Sequence, residues 1–223
     1  MVTMRTNPTH HPSEERLLDY ASGASAEPVS LLIATHLALC PQCRRDTAEL
    51  EMLGGVLLEQ MPPDPMTPES LAQSLARIMR PEELPQPIST PHEDLGDRSV
   101  PQPLRGYLST VLDDLPWRRI GPISELLLLQ DVPDHTTRLL RIRAGAAVPS
   151  HTHRGTELTL VLKGGYTDGK GHYLRGDVEE ADGNIDHRPT ADQDEDCFCL
   201  AVTDAPLKLT SRLGRLLNPF LNI

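Results

Sequence analysis

Positive charge is scarce in this sequence of 223 residues: 21 Lys and Arg stand against 32 Asp and Glu, for a net charge of -11. Binding nucleic acid through its phosphates needs clustered Lys and Arg, so that class is set aside, a DNA-binding zinc finger included. An acidic chain suits a basic partner instead. Lysine occurs only as Lys163, Lys170 and Lys208. Long apolar runs are missing too. None approaches the ~18 residues that suggest a membrane span, and no charged segment followed by an apolar one opens the chain. A soluble, cytoplasmic protein with no membrane partner is expected. Cysteine is limited to Cys40, Cys43, Cys197 and Cys199. In a reducing compartment these read as metal ligands, redox thiols or core residues before they read as disulfides.

What is present falls into two halves with different periods. From Ser13 to Arg80 the pattern is helical. Ser13 suits a helix cap, Glu14 and Glu15 suit the positive end of the helix dipole, and Gly23 suits a stop. A second helix is expected from about Pro28 to Leu39 and a third from about Gln42 to Gln60, with Pro41 at the break. "MPPDPMTP" interrupts the chain, and Pro68 to Arg80 reads as a short separate helix with Leu71, Leu75, Ile78 and Met79 on one stripe. Residues 81–103 hold six prolines and read as an acidic linker. Beyond them the period becomes two, in "ISELLLLQ", "TTRLLRIRAG", "ELTLVLKG", "CFCLAVT" and "LKLTSRL". Short strands at fairly even spacing, separated by Gly, Asp and Pro, indicate a β-sandwich or barrel. The expected organisation is therefore α + β in two domains: a small helical bundle over 1–80, a linker over 81–103 and a β domain over 104–223.

The helical half carries "HLALCPQC". His36, Cys40 and Cys43 recur at about one helical turn, so the three side chains can point at one atom. Imidazole and thiolate suit a closed tetrahedral zinc site, which asks for a fourth ligand. Cys197 and Cys199 are far along the chain, leaving His10 or His11 before the first helix. A redox CxxC is the minor alternative, because no βαβ context surrounds it. The pattern resembles the zinc-binding anti-sigma domain over roughly residues 8–80, and that resemblance favours His11.

In the β half, "GAAVPSHTHRGTELTLVLKG" places His151 and His153 on the same side of an extended segment, with Glu157 following after Gly155. Gly145, His151, His153, Glu157 and Gly164 resemble the first motif of the cupin family without a gap. The second cupin motif implies a further histidine. The match is looser there: Asp182 stands near an expected proline and Gly183 is one residue displaced, so His187 is the choice and His172 its competitor. Mixed imidazole and carboxylate ligands suit zinc, manganese, iron or nickel. Cys197 and Cys199 share one face of a strand, where they are core residues or thiols near the metal.

Together the two halves resemble the ChrR-type anti-sigma factors with a C-terminal jelly-roll cupin. The resemblance implies an inhibitor, not an enzyme, that forms a 1:1 complex with an extracytoplasmic-function sigma factor and keeps it from RNA polymerase. It also implies a cupin domain that senses oxidative stress, singlet oxygen in particular, and triggers release. Glu49, Glu51, Glu59 and Glu69 are candidates to meet basic surfaces of that partner. The alternative is a cupin metalloenzyme, a dioxygenase or isomerase, with an N-terminal structural zinc module. No second carboxylate or tyrosine is assignable as its general base, so no catalytic residue is named.

Overall fold

The computed structural model describes residues 7–79 and 100–210, with backbone alone at 207–209. Most of the expected linker, Arg80 and the end of "LKLTSRL" lie outside the described residues. Five helices are described: α1 (Glu14–Ala21), α2 (Glu27–Leu39), α3 (Pro41–Gln60), α4 (Glu69–Ile78) and the short α5 (Gln102–Arg105). Ser13 caps α1 by accepting from the Arg16 N–H, as its place ahead of two glutamates predicts. One helical segment does not run through the HxxxC motif. Cys40 has extended dihedrals (φ -111°, ψ 103°) and serves as the last cap of α2 and the first cap of α3, its Sγ accepting from Cys43 N at 3.4 Å. Pro41 is the reason: it fits the first turn of α3 and disfavours helical geometry in the residue before it.

The strands are β1 (Arg118–Ile120), β2 (Ile123–Leu128), β3 (Thr136–Ile142), β4 (His151–His153), β5 (Glu157–Lys163), β6 (Gly165–Thr167), β7 (His172–Leu174), β8 (Val178–Ala181), β9 (Thr190–Ala191), β10 (Cys197–Thr203) and β11 (Leu207–Leu209). Among the described residues they form three hydrogen-bonded sheets. The largest runs β1-β2-β3-β10-β5-β8, and β11-β4 and β7-β6-β9 form the other two. Its strands pair antiparallel throughout. Four of the five strand-like runs became β2, β3, β5 and β10, and "LKLTSRL" gave the three-residue β11 among the described residues; the other short strands carry too few residues for a period to show.

The pleat of β10 divides the interior in two. Phe198, Leu200 and Val202 face a large core that also takes in Leu17, Leu32, Ile33 and Leu37 of the helices. Cys197 and Cys199 face a smaller core with Val161, Tyr166 and Tyr173. The sheet face that an isolated sandwich would show to water is thus covered by α2, which packs on β10 and β5. That explains why α2 is apolar all round: Leu32 and Ile33 are fully buried, each stabilising by roughly 1.5–3 kcal/mol. The remaining helical surface is different. The second half of α3 exposes Met52, Leu53, Val56, Leu57 and Leu58, and none of α4's residues is buried.

Candidate metal centres

His11, His36, Cys40 and Cys43 come together where the N-terminal segment crosses the α2–α3 junction, their ligand atoms within 4.8 Å of one another. His11 Nδ1 lies 3.5 Å from Cys40 Sγ and 3.4 Å from Cys43 Sγ. A tetrahedral metal with bonds of about 2.0–2.3 Å to nitrogen and sulfur sets its ligand atoms about 3.3–3.8 Å apart, so these spacings suit one ion. The tautomer of His36 is set from outside the helices. Its Nδ1–H donates to Gly176 O at 2.7 Å, leaving Nε2 buried and without a hydrogen-bond partner among the described residues. A lone pair held dry in that way is a metal-ligand arrangement. Burial also lowers the pKa of His36 to about 4, against the opposing pull of the Gly176 carbonyl, so the ring is neutral. Burial, with the neighbouring Cys40, raises the Cys43 thiol to about 12. A cation binding there would have to displace that proton. His10 turns away. It packs on Tyr173 with ring centroids 4.5 Å apart and lies 3.5 Å from Asp177.

The second cluster is His151, His153, Glu157 and His187, all buried. Two devices build it. The strand pleat aligns His151 and His153, and a backbone bridge between His151 and His187, with N–H···O distances of 3.2 and 3.1 Å, brings in the distant third imidazole. Glu157 opens β5 after the β4–β5 turn, where Gly155 allows the Asp204 carboxylate to approach and accept from Thr156 N at 2.6 Å. Three imidazole nitrogens converge. His187 Nε2 is 3.0 Å from His151 Nε2 and 3.2 Å from His153 Nε2, while Glu157 Oε2 is 3.1 Å from His153 and 3.8 Å from His151. Nitrogen and oxygen ligands at about 2.1 Å stand about 3.0–3.4 Å apart around one divalent cation. His172 is elsewhere, exposed and paired with Asp192 at 2.8 Å.

Outer partners hold these rings. His151 Nδ1–H donates to Pro149 O at 2.9 Å, and His187 Nδ1 faces Asp168 and Glu179, each at 3.3 Å. Glu179 in turn accepts from the Tyr166 hydroxyl at 2.6 Å. Burial works against a charge on His187, but Glu179, Glu157 and Asp168 outweigh it and raise its pKa. For His153 burial wins and the pKa is lowered. Burial would raise Glu157; its hydrogen bond to His151 and the surrounding imidazoles hold it low instead. Carboxylates aimed at the far nitrogen of a ligating histidine orient the ring and raise its basicity. Asp168, Glu179 and Tyr166 are not legible in the sequence, because local spacing reveals which residues share a face but not which side chains meet across the domain. A cavity of about 70 Å³ borders the cluster, lined by His151, Glu157 and His187 with apolar Leu140, Ile142, Val148 and Pro189. Cys199 also lines it, and its Sγ is 3.5 Å from Cys197 Sγ. Both thiols are thus core residues, and Cys199 is also a neighbour of the cluster.

A histidine–carboxylate pocket on strands of this topology, joined to a helical Cys/His cluster, defines a cupin protein with a second candidate metal centre. The ChrR cupin-like domain matches residues 108–206. The chain belongs to the ChrR family of anti-sigma factors: it is 40% identical to the anti-sigma-E factor ChrR of Cereibacter sphaeroides over 96% of this chain and 98% of that one. The crystal structure of Rhodobacter sphaeroides SigE in complex with the anti-sigma ChrR is similar at a TM-score of 0.75 and 38% identity, covering 88% of this chain and 100% of that one. No helix of the described residues is long and apolar enough to cross a membrane.

Proposed function

We propose that this chain is a cytoplasmic inhibitor of an extracytoplasmic-function sigma factor, binding it 1:1 and withholding it from RNA polymerase; it is a stoichiometric regulator and not an enzyme. The observation that carries the reading, beside family membership, is the uncovered apolar surface of α3 and α4. Leu57, Met61, Leu71 and Ile78 are 58%, 65%, 65% and 79% exposed. Exposed apolar side chains in such number mark a protein-binding site, and a helix of ten residues, none of them buried among the described residues, is marginal in water until it docks. In this reading residues 1–80 form the inhibitory domain, the stretch around 81–103 is the linker, and 104–223 form the cupin domain. His11, His36, Cys40 and Cys43 hold zinc, which would supply folding free energy to the bundle. His151, His153, Glu157 and His187 hold zinc or another divalent metal such as manganese or iron, and the cupin domain senses oxidative stress, singlet oxygen in particular, and releases the sigma factor.

Co-expression with the cognate sigma factor tests this. A 1:1 complex on size-exclusion chromatography is expected, weakened at least ~100-fold by Leu57→Asp with Leu75→Asp, each of which places a charge in an apolar contact. If the doubly substituted chain binds as tightly as wild type, α3 and α4 are not the inhibitory surface. The sensing role is separate. If His151→Ala with Glu157→Ala leaves release by oxidant unchanged, it fails while inhibition stands.

A further inference from the structure

The two clusters are far apart in sequence, yet one short segment touches the surroundings of both. Gly176 O accepts the Nδ1–H of His36 at 2.7 Å. The next residue, Asp177, accepts from Thr9 N at 2.6 Å and His10 N at 2.9 Å, pinning the chain immediately before His11; its other oxygen accepts from Leu174 N at 2.8 Å. Val178 N donates to His10 O at 3.1 Å, so the segment also accepts the N-terminal chain as a neighbour along its backbone. Glu179 points towards the His/Glu pocket, to His187 Nδ1 at 3.3 Å. Glu180 points outward again and accepts from Ser13 N, the cap of α1, at 2.9 Å. Within β8 the pleat sends Val178 and Glu180 to the helix side and Glu179 to the other face, while Asp177 lies in the turn before the strand and is aimed by that turn.

Gly176 makes the contact possible. Its φ of +93° is a left-handed conformation that side chains resist, and a Cβ there would stand 2.7 Å from Pro8 Cγ. The Asp177 carboxylate is buried and held by three main-chain N–H donors, which outweigh burial and lower its pKa. A buried anion with that many donors is fixed in position. Resting on the reading of both clusters as metal sites, we propose that residues 176–180 are a shared support of the two centres, so that a divalent cation bound in the His/Glu pocket tightens the hold of the Cys/His site on its own cation, and the reverse. Gly176 and Asp177 position the N-terminal ligands, Glu179 positions His187, and the stiff strand between them carries the effect.

Cobalt(II) reports on the sites separately in the full chain, because only the Cys/His site offers thiolates and hence a sulfur-to-metal charge-transfer band. Affinity at each site is read by chelator competition. Removing the second site with His151→Ala is expected to weaken cobalt at the thiolate site at least 5-fold, and Cys40→Ser is expected to weaken the His/Glu site by the same factor, since coupling between binding sites is reciprocal. Asp177→Asn and Gly176→Ala are expected to reduce that factor towards one while both sites still bind. Should Gly176→Ala not fold, the isosteric Asp177→Asn decides alone. Equal affinities with and without the neighbouring site, or a factor that persists undiminished in Asp177→Asn, overturn the proposal. Absence of a thiolate band in wild type would remove the metal reading of the Cys/His cluster and the proposal with it, whereas two independent, fully occupied sites would sink the coupling only.

Discussion

The two clusters reach similar ligand spacings by opposite routes. The His/Glu cluster is organised by backbone: a strand pleat, a bridge between His151 and His187, and a turn before Glu157. The Cys/His cluster sits where regular structure stops, at the α2–α3 junction and on a segment with no secondary structure at His11. Its geometry depends on Cys40 capping α3 and on contacts from the β7–β8 turn. A pocket scaffolded by ladders tolerates loss of its ion, while one assembled from chain ends relies on the ion to hold the ends together. The same contrast explains the electrostatics. In the His/Glu pocket a carboxylate is already ionised among imidazoles, whereas the Cys43 thiol is raised to about 12 by burial and gives up its proton only to a cation.

Removing one thiolate should break the comparison most sharply. Cys43→Ser is expected to lose one metal per chain by elemental analysis and to destabilise the helical half by at least ~3 kcal/mol in thermal unfolding; Glu157→Ala should also lose one metal yet leave the helices folded. Equal destabilisation by the two changes would mean that both sites depend on their ion alike. Leu32→Ala should cost about 2–5 kcal/mol, and because Leu32 belongs to the core that runs from helices to sheet, helical and β signals should fall together. Separate transitions in denaturant would show that the halves are stabilised independently.

On metal-stripped protein, the difference between the pH dependence of wild type and that of His36→Gln isolates the Cys/His pocket from the other shifted groups. The unfolded chain takes up a proton at His36 near 6.5, and the folded chain does so only near 4. Between those values the unfolded state binds more protons, so stability is full above about 6.5 and is lost as pH falls towards 4. The expected loss is about 3 kcal/mol, and a His36→Gln chain should lack that part of the slope. The smallest effect is expected outside the ligand set. Glu179→Gln keeps the shape but removes the charge facing His187, and should lower metal affinity at the His/Glu site by roughly 10–100-fold. Unchanged affinity in a competition titration would mean that Asp168 suffices to orient the ring.

Much of the architecture was legible because it is written in local periods. Ser13, Pro41 and the apolar alternation of β3, β5 and β10 act through neighbours in the chain, and the helices and long strands fall close to where those signals put them. The exposed stripe of α4 was legible for the same reason. Less legible were the short strands and the packing of α2 across the sheet. Each of these is decided by a partner far away. The full apolarity of α2 is explained only by the second face it buries against Phe198 and Leu200.

By itself the sequence determined the donor chemistry: a helix-spaced His36, Cys40 and Cys43, and a strand-spaced His151 and His153 with Glu157 one turn of chain away. Spacing reveals such sets because few residues separate their members: His36 lies in the last turn of α2, Cys40 is the junction and Cys43 lies in the first turn of α3, while His151 and His153 share β4 and Glu157 opens the next strand. Spacing left His10 beside His11 and His172 beside His187, and only the family resemblance favoured His11 and His187. Only the tertiary structure draws His10 onto Tyr173 and His172 onto Asp192, and brings His11 to the sulfurs and His187 to His151. Those choices depend on contacts between residues that the chain separates by tens of positions, where no local period reaches and packing alone selects which side chain is buried.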